Sequence, residues 1–293
     1  MTIMKRPYKL LGDFQRVLDF LDDNYELETL NGYLLHPFFE YAHTHPIFNH
    51  SMTHRFGLWE EAGDLVGIAC YEMDLGEACI EAKAGYNHLL PDMLDHAEDH
   101  LSASVEGKQV LGVWITDKET DMIHLLKSRG YERARMERIT IFNYAKGFLQ
   151  VDLAQGYDLI SLEEENDPSK IHACLYKGFN HQGEPKDEPD SRLIMQSGPN
   201  FRPDLTTVAR AGNGDYATYA GMWMNQRHGY AYLEPLATVP DHRRKGLAAA
   251  TLVEAMKKTA KEGATYCFGG VNEFYQNLGF ETIAHREYWK KSW

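Results

Sequence analysis

The sequence predicts a mixed α/β (α+β) chain of two tandem domains, each a mostly antiparallel twisted sheet flanked by helices. Three observations predict it. A length of 293 residues suits two ordinary domains better than one. Short apolar runs bounded by turn residues alternate with stretches of helical periodicity along the whole chain. One order of elements also recurs at an offset of about 150 residues. Asp64-Leu-Val-Gly-Ile-Ala-Cys-Tyr-Glu-Met lies over Asp215-Tyr-Ala-Thr-Tyr-Ala-Gly-Met-Trp-Met, Ile80-Glu81 over Leu233-Glu234, and Arg129-Gly130-Tyr131-Glu132 over Leu278-Gly279-Phe280-Glu281. The expected division is 1–150 and 151–293.

In the first copy, Asp13 to Tyr25 carries Phe14, Val17, Leu18 and Leu21 on one face and reads as an amphipathic helix capped near Gly12-Asp13. A histidine-rich stretch follows, with His36, His43, His45, His50 and His54 among aromatics. Imidazole suits a metal, but no recognised ligand spacing such as His-Glu-x-x-His is present, so loop packing or a substrate-facing wall is the alternative. Phe56–Glu61, Asp64–Met73 and Glu77–Gly85 read as strands of an antiparallel meander. Leu89–Leu101 reads as a helix that tolerates Pro91 in its first turn, and Gln109–Thr116, Glu119–Ser128 and Arg133–Tyr144 as strand, helix and strand.

Asp152–Pro168, rich in Asp, Glu, Gly and Asn, carries the boundary and the first strand of the second copy, Asp158–Leu162. Ser169–Phe179 and Ser191–Gln196 read as helices, joined by a polar, turn-rich stretch from Asn180 to Asp190 that suits a mobile cover over an acceptor site. The chain then states its chemistry between Glu234 and Val253. An apolar strand ends at Val239-Pro240, a basic loop runs from Asp241 to Gly246, and strong helix formers begin at Leu247. The first turn of such a helix leaves N–H groups without partners at the positive end of the dipole. Arg243, Arg244 and Lys245 stand beside it, which points to a phosphate or pyrophosphate ligand. The spacing is neither Gly-x-x-x-x-Gly-Lys-Ser/Thr nor Gly-x-Gly-x-x-Gly. The helix runs to Lys261 and stops at Gly263. A buried strand, Ala264–Gly270, follows, and then Asn272-Glu-Phe-Tyr275-Gln-Asn-Leu-Gly279-Phe280.

Arg243-x-x-Gly246-x-Ala248 after Leu236-Ala-Thr-Val-Pro, followed in order by Tyr275-x-x-x-Gly279-Phe280, resembles the acetyl-CoA motifs of the GNAT N-acetyltransferase superfamily. The duplicated layout resembles tandem GNAT proteins of the mycothiol synthase-like kind, with specific motifs over residues 158–293 and pattern alone over 1–150. The first copy has no Arg-x-x-Gly-x-Ala after Glu81 and has Leu126 at the position of Tyr275, so it reads as a degenerate copy. The resemblance implies an N-acetyltransferase moving acetyl from acetyl-CoA to a primary amine of a small molecule by direct attack. Ala237, Thr238 and Val239 would hold the acetyl carbonyl and pantetheine arm, and Arg243, Arg244, Lys245, Gly246, Leu247, Ala248 and Ala249 the pyrophosphate. Glu234 is the candidate base, or else an anchor for the substrate ammonium. Tyr275 is the candidate acid for the leaving thiolate, or else a core aromatic. Asn272 stands closer to the tyrosine than the family's asparagine, so it is either a cofactor contact or a helix N-cap. A non-catalytic acyl-CoA sensor or scaffold, and a protein lysine or N-terminal acetyltransferase, are the other readings.

Composition narrows the partners. A formal charge of −13 argues against general nucleic-acid binding and leans toward a cationic substrate. Cys70, Cys79, Cys174 and Cys267 have no paired spacing, so neither a zinc cluster nor a disulfide framework is expected, and no metal. No apolar run approaches a membrane span, and Met1 to Pro7 lacks the apolar region of a secretory signal, which leads to the expectation of a cytoplasmic protein. The acceptor and the oligomeric state are not encoded in any motif.

Overall fold

A computed structural model describes residues 2–30, 34–183 and 188–293. The chain forms two compact units, one from residues 1–43, 47–139 and 282–293 and the other from 44–46 and 140–281. In chain order the elements begin with β1 (Ile3–Pro7), α1 (Leu10–Asn24), α2 (His36–Thr44), β2 (Gly57–Glu61), β3 (Asp64–Cys70), β4 (Glu77–Ala82) and α3 (Leu90–His100). Then come β5 (Ala103–Val105), β6 (Lys108–Thr116), α4 (Thr120–Ser128) and β7 (Glu132–Asn143). The second half adds β8 (Tyr157–Ser161), α5 (Pro168–Gly178), α6 (Ser191–Met195), β9 (Thr207–Ala211), β10 (Tyr216–Asn225) and β11 (Tyr230–Thr238). It ends with α7 (Leu247–Lys261), β12 (Tyr266–Gly269), α8 (Glu273–Asn277) and β13 (Glu281–Ser292).

The first unit's sheet runs β1-β2-β3-β4-β6-β13-β7, with β5 on β6. Strand β13 is last in the chain yet pairs antiparallel with β6, from Arg286↔Thr116 to Ser292↔Val110. Strand β3 is buried along nearly its whole length, since helices cover it, and so reads as an unbroken apolar run rather than an alternation. The second unit's sheet starts with the end of β7, Thr140–Asn143, and continues β12-β11-β10-β9-β8. Helix α7 lays Leu252, Val253, Ala255 and Met256 into a core with Met222, Leu233, Cys267 and Phe280. Its small residues let the helix approach the sheet closely, and at roughly 2 kcal/mol per large buried side chain this face dominates the unit's stability. All four cysteines are free and buried.

The structure shows the duplication in hydrogen bonds. Tyr131 N–H donates to Leu126 O at 3.0 Å, and Phe280 N–H donates to Tyr275 O at 3.0 Å, so both copies close the turn after α4 and α8 in one way. Both copies also hold one parallel pair within a mostly antiparallel sheet, β4 with β6 and β11 with β12.

Two local expectations change. Helix α1 starts three residues early, its N-cap is Lys9, and no side chain caps it. Asp13 takes the Lys9 N–H at 2.7 Å, and its two oxygens also receive a bidentate Arg6 fork at 2.7 Å each. Arg6 and Arg16 both reach Glu60 at 2.7 Å, so the network ties β1, α1 and β2 together. The histidine stretch forms α2 and a short 3-10 turn at His50–Arg55 rather than a loop. His43 packs among Phe14, Phe39, Phe48 and Phe56, His36 pairs with Asp22, and His50 bonds the His43 carbonyl. Among the described residues no group of His, Cys, Asp and Glu is placed to hold a metal, and no helix is long and apolar enough to cross a membrane.

The Asp13 network yields a stability prediction. Hydrogen bonding from Arg6 lowers the Asp13 pKa to about 2, against an ordinary value of 3.8. A depressed carboxylate stabilises the fold above its unfolded pKa and loses that contribution as pH falls, here between roughly pH 4 and pH 2. Its side chain is only 4% exposed, so Asp13→Asn should cost about 2 kcal/mol at pH 7 in urea unfolding and flatten the acid limb of the stability curve.

Candidate active site

The site grows from an interruption in pairing. Strands β11 and β12 pair in parallel only at Tyr230↔Tyr266, Ala231↔Cys267 and Tyr232↔Phe268. Beyond Tyr232 the strands part, and among the described residues no strand pairs with Leu233–Thr238 on the β12 side. On its other side β11 stays paired with β10 out to Thr238↔Thr218, with a bulge opposite Ala220–Met222 at the cis peptide Glu234–Pro235. The bulge changes the direction of β11 while β10 holds it in the sheet. An open edge of strand backbone results, with Glu234 at its inner end.

At the outer end lies the basic loop. A 3-10 turn, Pro240–His242, leads to Arg244 at φ 63° and Gly246 at φ 76°. Both residues are left-handed, a conformation glycine adopts freely and arginine rarely. Gly246 is the N-cap of α7 and offers no side chain, so the N–H groups of Leu247, Ala248 and Ala249 remain available at the positive end of a fifteen-residue helix. The structure separates the three basic side chains expected here. Arg243 donates from Nε to Thr238 O at 3.0 Å and from its guanidinium to Gly178 O at 2.8 Å, bracing the loop against β11 and α5. Lys245 donates to the Tyr157 hydroxyl at 3.0 Å and to Asp241 O at 3.2 Å. Arg244 is exposed and makes no such bond among the described residues, which leaves its charge on offer beside the amides.

Ala237, Thr238 and Val239 lie at the open end of β11 and where the chain leaves it. Ala237 packs against Gly178, the Thr238 hydroxyl meets Thr218 at 3.1 Å, and Val239 N–H donates to Ala217 O at 2.9 Å.

Helix α8 brings Tyr275 to the inner end. The ring is 8% exposed, belongs to the α7 core, and stands edge-on to Phe280 at 5.4 Å. It lies across Gly270, where a Cβ would come within 2.4 Å of the ring and 2.9 Å of the hydroxyl, so only glycine fits beneath it. Burial raises the Tyr275 pKa above its ordinary value of 10, and the nearby charge of Glu234 raises it further. Glu234 is half-buried, and its backbone oxygen accepts a hydrogen bond from Trp223 Nε1 at 3.0 Å. Thus a carboxylate forty-one residues away in sequence is near enough to act on the phenol. Asn272 caps α8, its Oδ1 accepting the Phe274 N–H at 3.1 Å. Sequence reasoning missed the glycine seat of Tyr275; the Gly269-Gly270 pair ahead of the motif was the available signal.

A cavity of about 500 Å³ opens beside the loop, between α5, the β9–β10 turn and Val239–His242. Residues 184–187 of the expected cover lie outside the described residues.

Residues 166–280 match the family described as Acetyltransferase (GNAT) family. Among curated proteins, none matches the chain in sequence. Solved structures share the fold at low identity. A GCN5-related N-acetyltransferase from Sphaerobacter thermophilus is 13% identical over 99% of this chain and 95% of its own, with a TM-score of 0.62. A tandem GNAT protein from the clavulanic acid biosynthesis pathway is 13% identical over 99% and 98%, with a TM-score of 0.58. N-myristoyltransferase of Saccharomyces cerevisiae is 11% identical over 98% and 79%, with a TM-score of 0.58. This fold supports acyl transfer from acyl-CoA. Residues 166–280 thus match the GNAT family, within a chain that shares its fold with a tandem GNAT protein over almost its whole length.

Proposed function

We propose that the chain is an N-acetyltransferase that moves acetyl from acetyl-CoA to the primary amine of a small molecule. The observation that carries this reading is the open edge of β11, which runs from the Glu234–Tyr275 pair to the uncapped start of α7. Acetyl-CoA supplies the thioester carbon that the amine attacks, the C–N bond forming as the C–S bond breaks. The chain's own groups do the rest. Amides of Leu247, Ala248 and Ala249, with Arg244, take the pyrophosphate. Strand backbone near Ala237 to Val239 holds the pantetheine arm and polarises the carbonyl. The brace formed by Arg243 and the contacts of Lys245 position the loop rather than the ligand.

Protons move in two places. An alkylamine with a pKa near 10 is mostly protonated at neutral pH, and Glu234 removes the proton that blocks attack. Tyr275, held protonated by burial and by the neighbouring carboxylate, donates its phenolic proton to the departing sulfur. Asn272 acts through α8 as its cap rather than on the ligand.

Three measurements test this. Tyr275→Phe should lower turnover tenfold or more while calorimetry finds acetyl-CoA binding unchanged; equal turnover removes the assigned acid. Glu234→Gln should lose more rate at pH 7 than near pH 10, where the amine deprotonates without help. A loss confined to KM at every pH would make Glu234 an anchor instead. Gly270→Ala should push Tyr275 aside, lowering stability by about 1–3 kcal/mol and turnover as far as Tyr275→Phe does. Acetyl-CoA binding with no turnover on any amine would favour the sensor reading.

A further inference from the structure

The first unit has a mouth of its own. Strands β4 and β6 pair in parallel at Glu77↔Gly112, Ala78↔Val113 and Cys79↔Trp114, then part, as β11 and β12 do. A cavity of about 300 Å³, at the small end of sites that hold organic ligands, opens beside the end of β4, against the starts of α3 and α4. The groups around it differ in sign from those of the second unit. Glu28, Glu81, Glu119 and Asp121 line it with Asn87 and a single cation, Lys118, whose ammonium donates to the Glu28 carbonyl. Helix α3 begins without a left-handed turn or basic cluster, and Asp92 stands in its first turn, so a pyrophosphate would be repelled.

Glu81 is the unusual member. It is 2% exposed, and one oxygen accepts the Leu34 N–H at 2.9 Å. Its other oxygen has no hydrogen-bond partner among the described residues and belongs to a side chain that lines the cavity. Glu119 stands near enough for its charge to make Glu81 harder to ionise, on top of burial. Thr116 N–H donates to one Glu119 oxygen, and Asn87 donates to Asp121 at 2.7 Å. A carboxyl as deeply buried as Glu81 is costly to leave with an open oxygen unless a ligand completes it. No three carboxylates among the described residues converge as metal ligands, which favours an organic cation over a metal ion. Ile80, Leu90 and Met122 line the same space and suit a methylene chain.

We propose that the N-terminal unit binds a small alkyl diamine or polyamine in the cavity beside the end of β4 and the start of α4, with Glu81 accepting hydrogen bonds from its ammonium group. The site is independent of acetyl transfer in the second unit. Burial lifts the Glu81 pKa well above its ordinary value and that of Glu119 to about 7, so a bound ammonium ionises them and releases protons. The facing charges are Glu28, Asp121 and Lys118.

Calorimetry of the full chain with putrescine and spermidine tests the proposal, in two buffers of different ionisation enthalpy at one ionic strength. Binding should occur with proton release and weaken tenfold or more in Glu81→Gln and in Glu119→Gln, while Glu234→Gln leaves it unchanged. The second variant keeps the test open should Glu81→Gln fail to fold. Absence of binding by either amine, equal binding in both first-unit variants, or loss in Glu234→Gln would each overturn it. The last result would place the amine in the acetyl-transfer site.

Discussion

The parting of two parallel strands is the constraint on which the rest of the second unit depends. Adjacent strands normally stay paired, because each unpaired N–H or C=O must find another partner. Here β11 and β12 stop after three pairs. The bulge at Glu234–Pro235 turns β11, and Gly269-Gly270 ends β12 beneath the ring of Tyr275. Backbone from Leu233 to Thr238 therefore faces an opening while β10 keeps it rigid from the other side. A strand held by its neighbour on one edge and open on the other presents backbone with little ordering left to do.

Charge placement follows from that geometry. The loop at the outer end is built by internal contacts: Arg243 grips Thr238 and Gly178, and Lys245 and His242 both meet Tyr157. These contacts use side-chain cations to shape backbone, which leaves the amides at the start of α7, the helix dipole and Arg244 as the positive groups on offer. At the inner end, burial and the Glu234 charge favour the protonated phenol. One sheet edge thus carries positive character at one end and an acid beside a carboxylate at the other.

The first unit carries the same strand arrangement with different chemistry. Leu126, fully buried, stands where the second unit has Tyr275, and the turn hydrogen bond behind it is kept. The parting of β4 and β6 is kept as well, but carboxylates line the cavity beside the end of β4. A duplicated fold can therefore retain an opening while the groups inside it change sign, since the opening depends on strand pairing and the charges on a few side chains.

The sequence by itself determined the order of strands and helices, the internal duplication, the phosphate-type loop and the tyrosine motif. Each rests on local physics: apolar periodicity, helix-start chemistry and glycine placement act within a dozen residues. It did not show that Arg243 and Lys245 bend inward, that Asp13 serves an ion network instead of a cap, or that β13 returns to the first unit's sheet. These depend on partners far away in the chain, such as Gly178 for Arg243, Glu60 for Arg6 and Thr116 for Arg286. Tertiary structure decided them because a side chain's role is set by which acceptors and which low-dielectric surroundings folding brings to it, and periodicity carries no record of either.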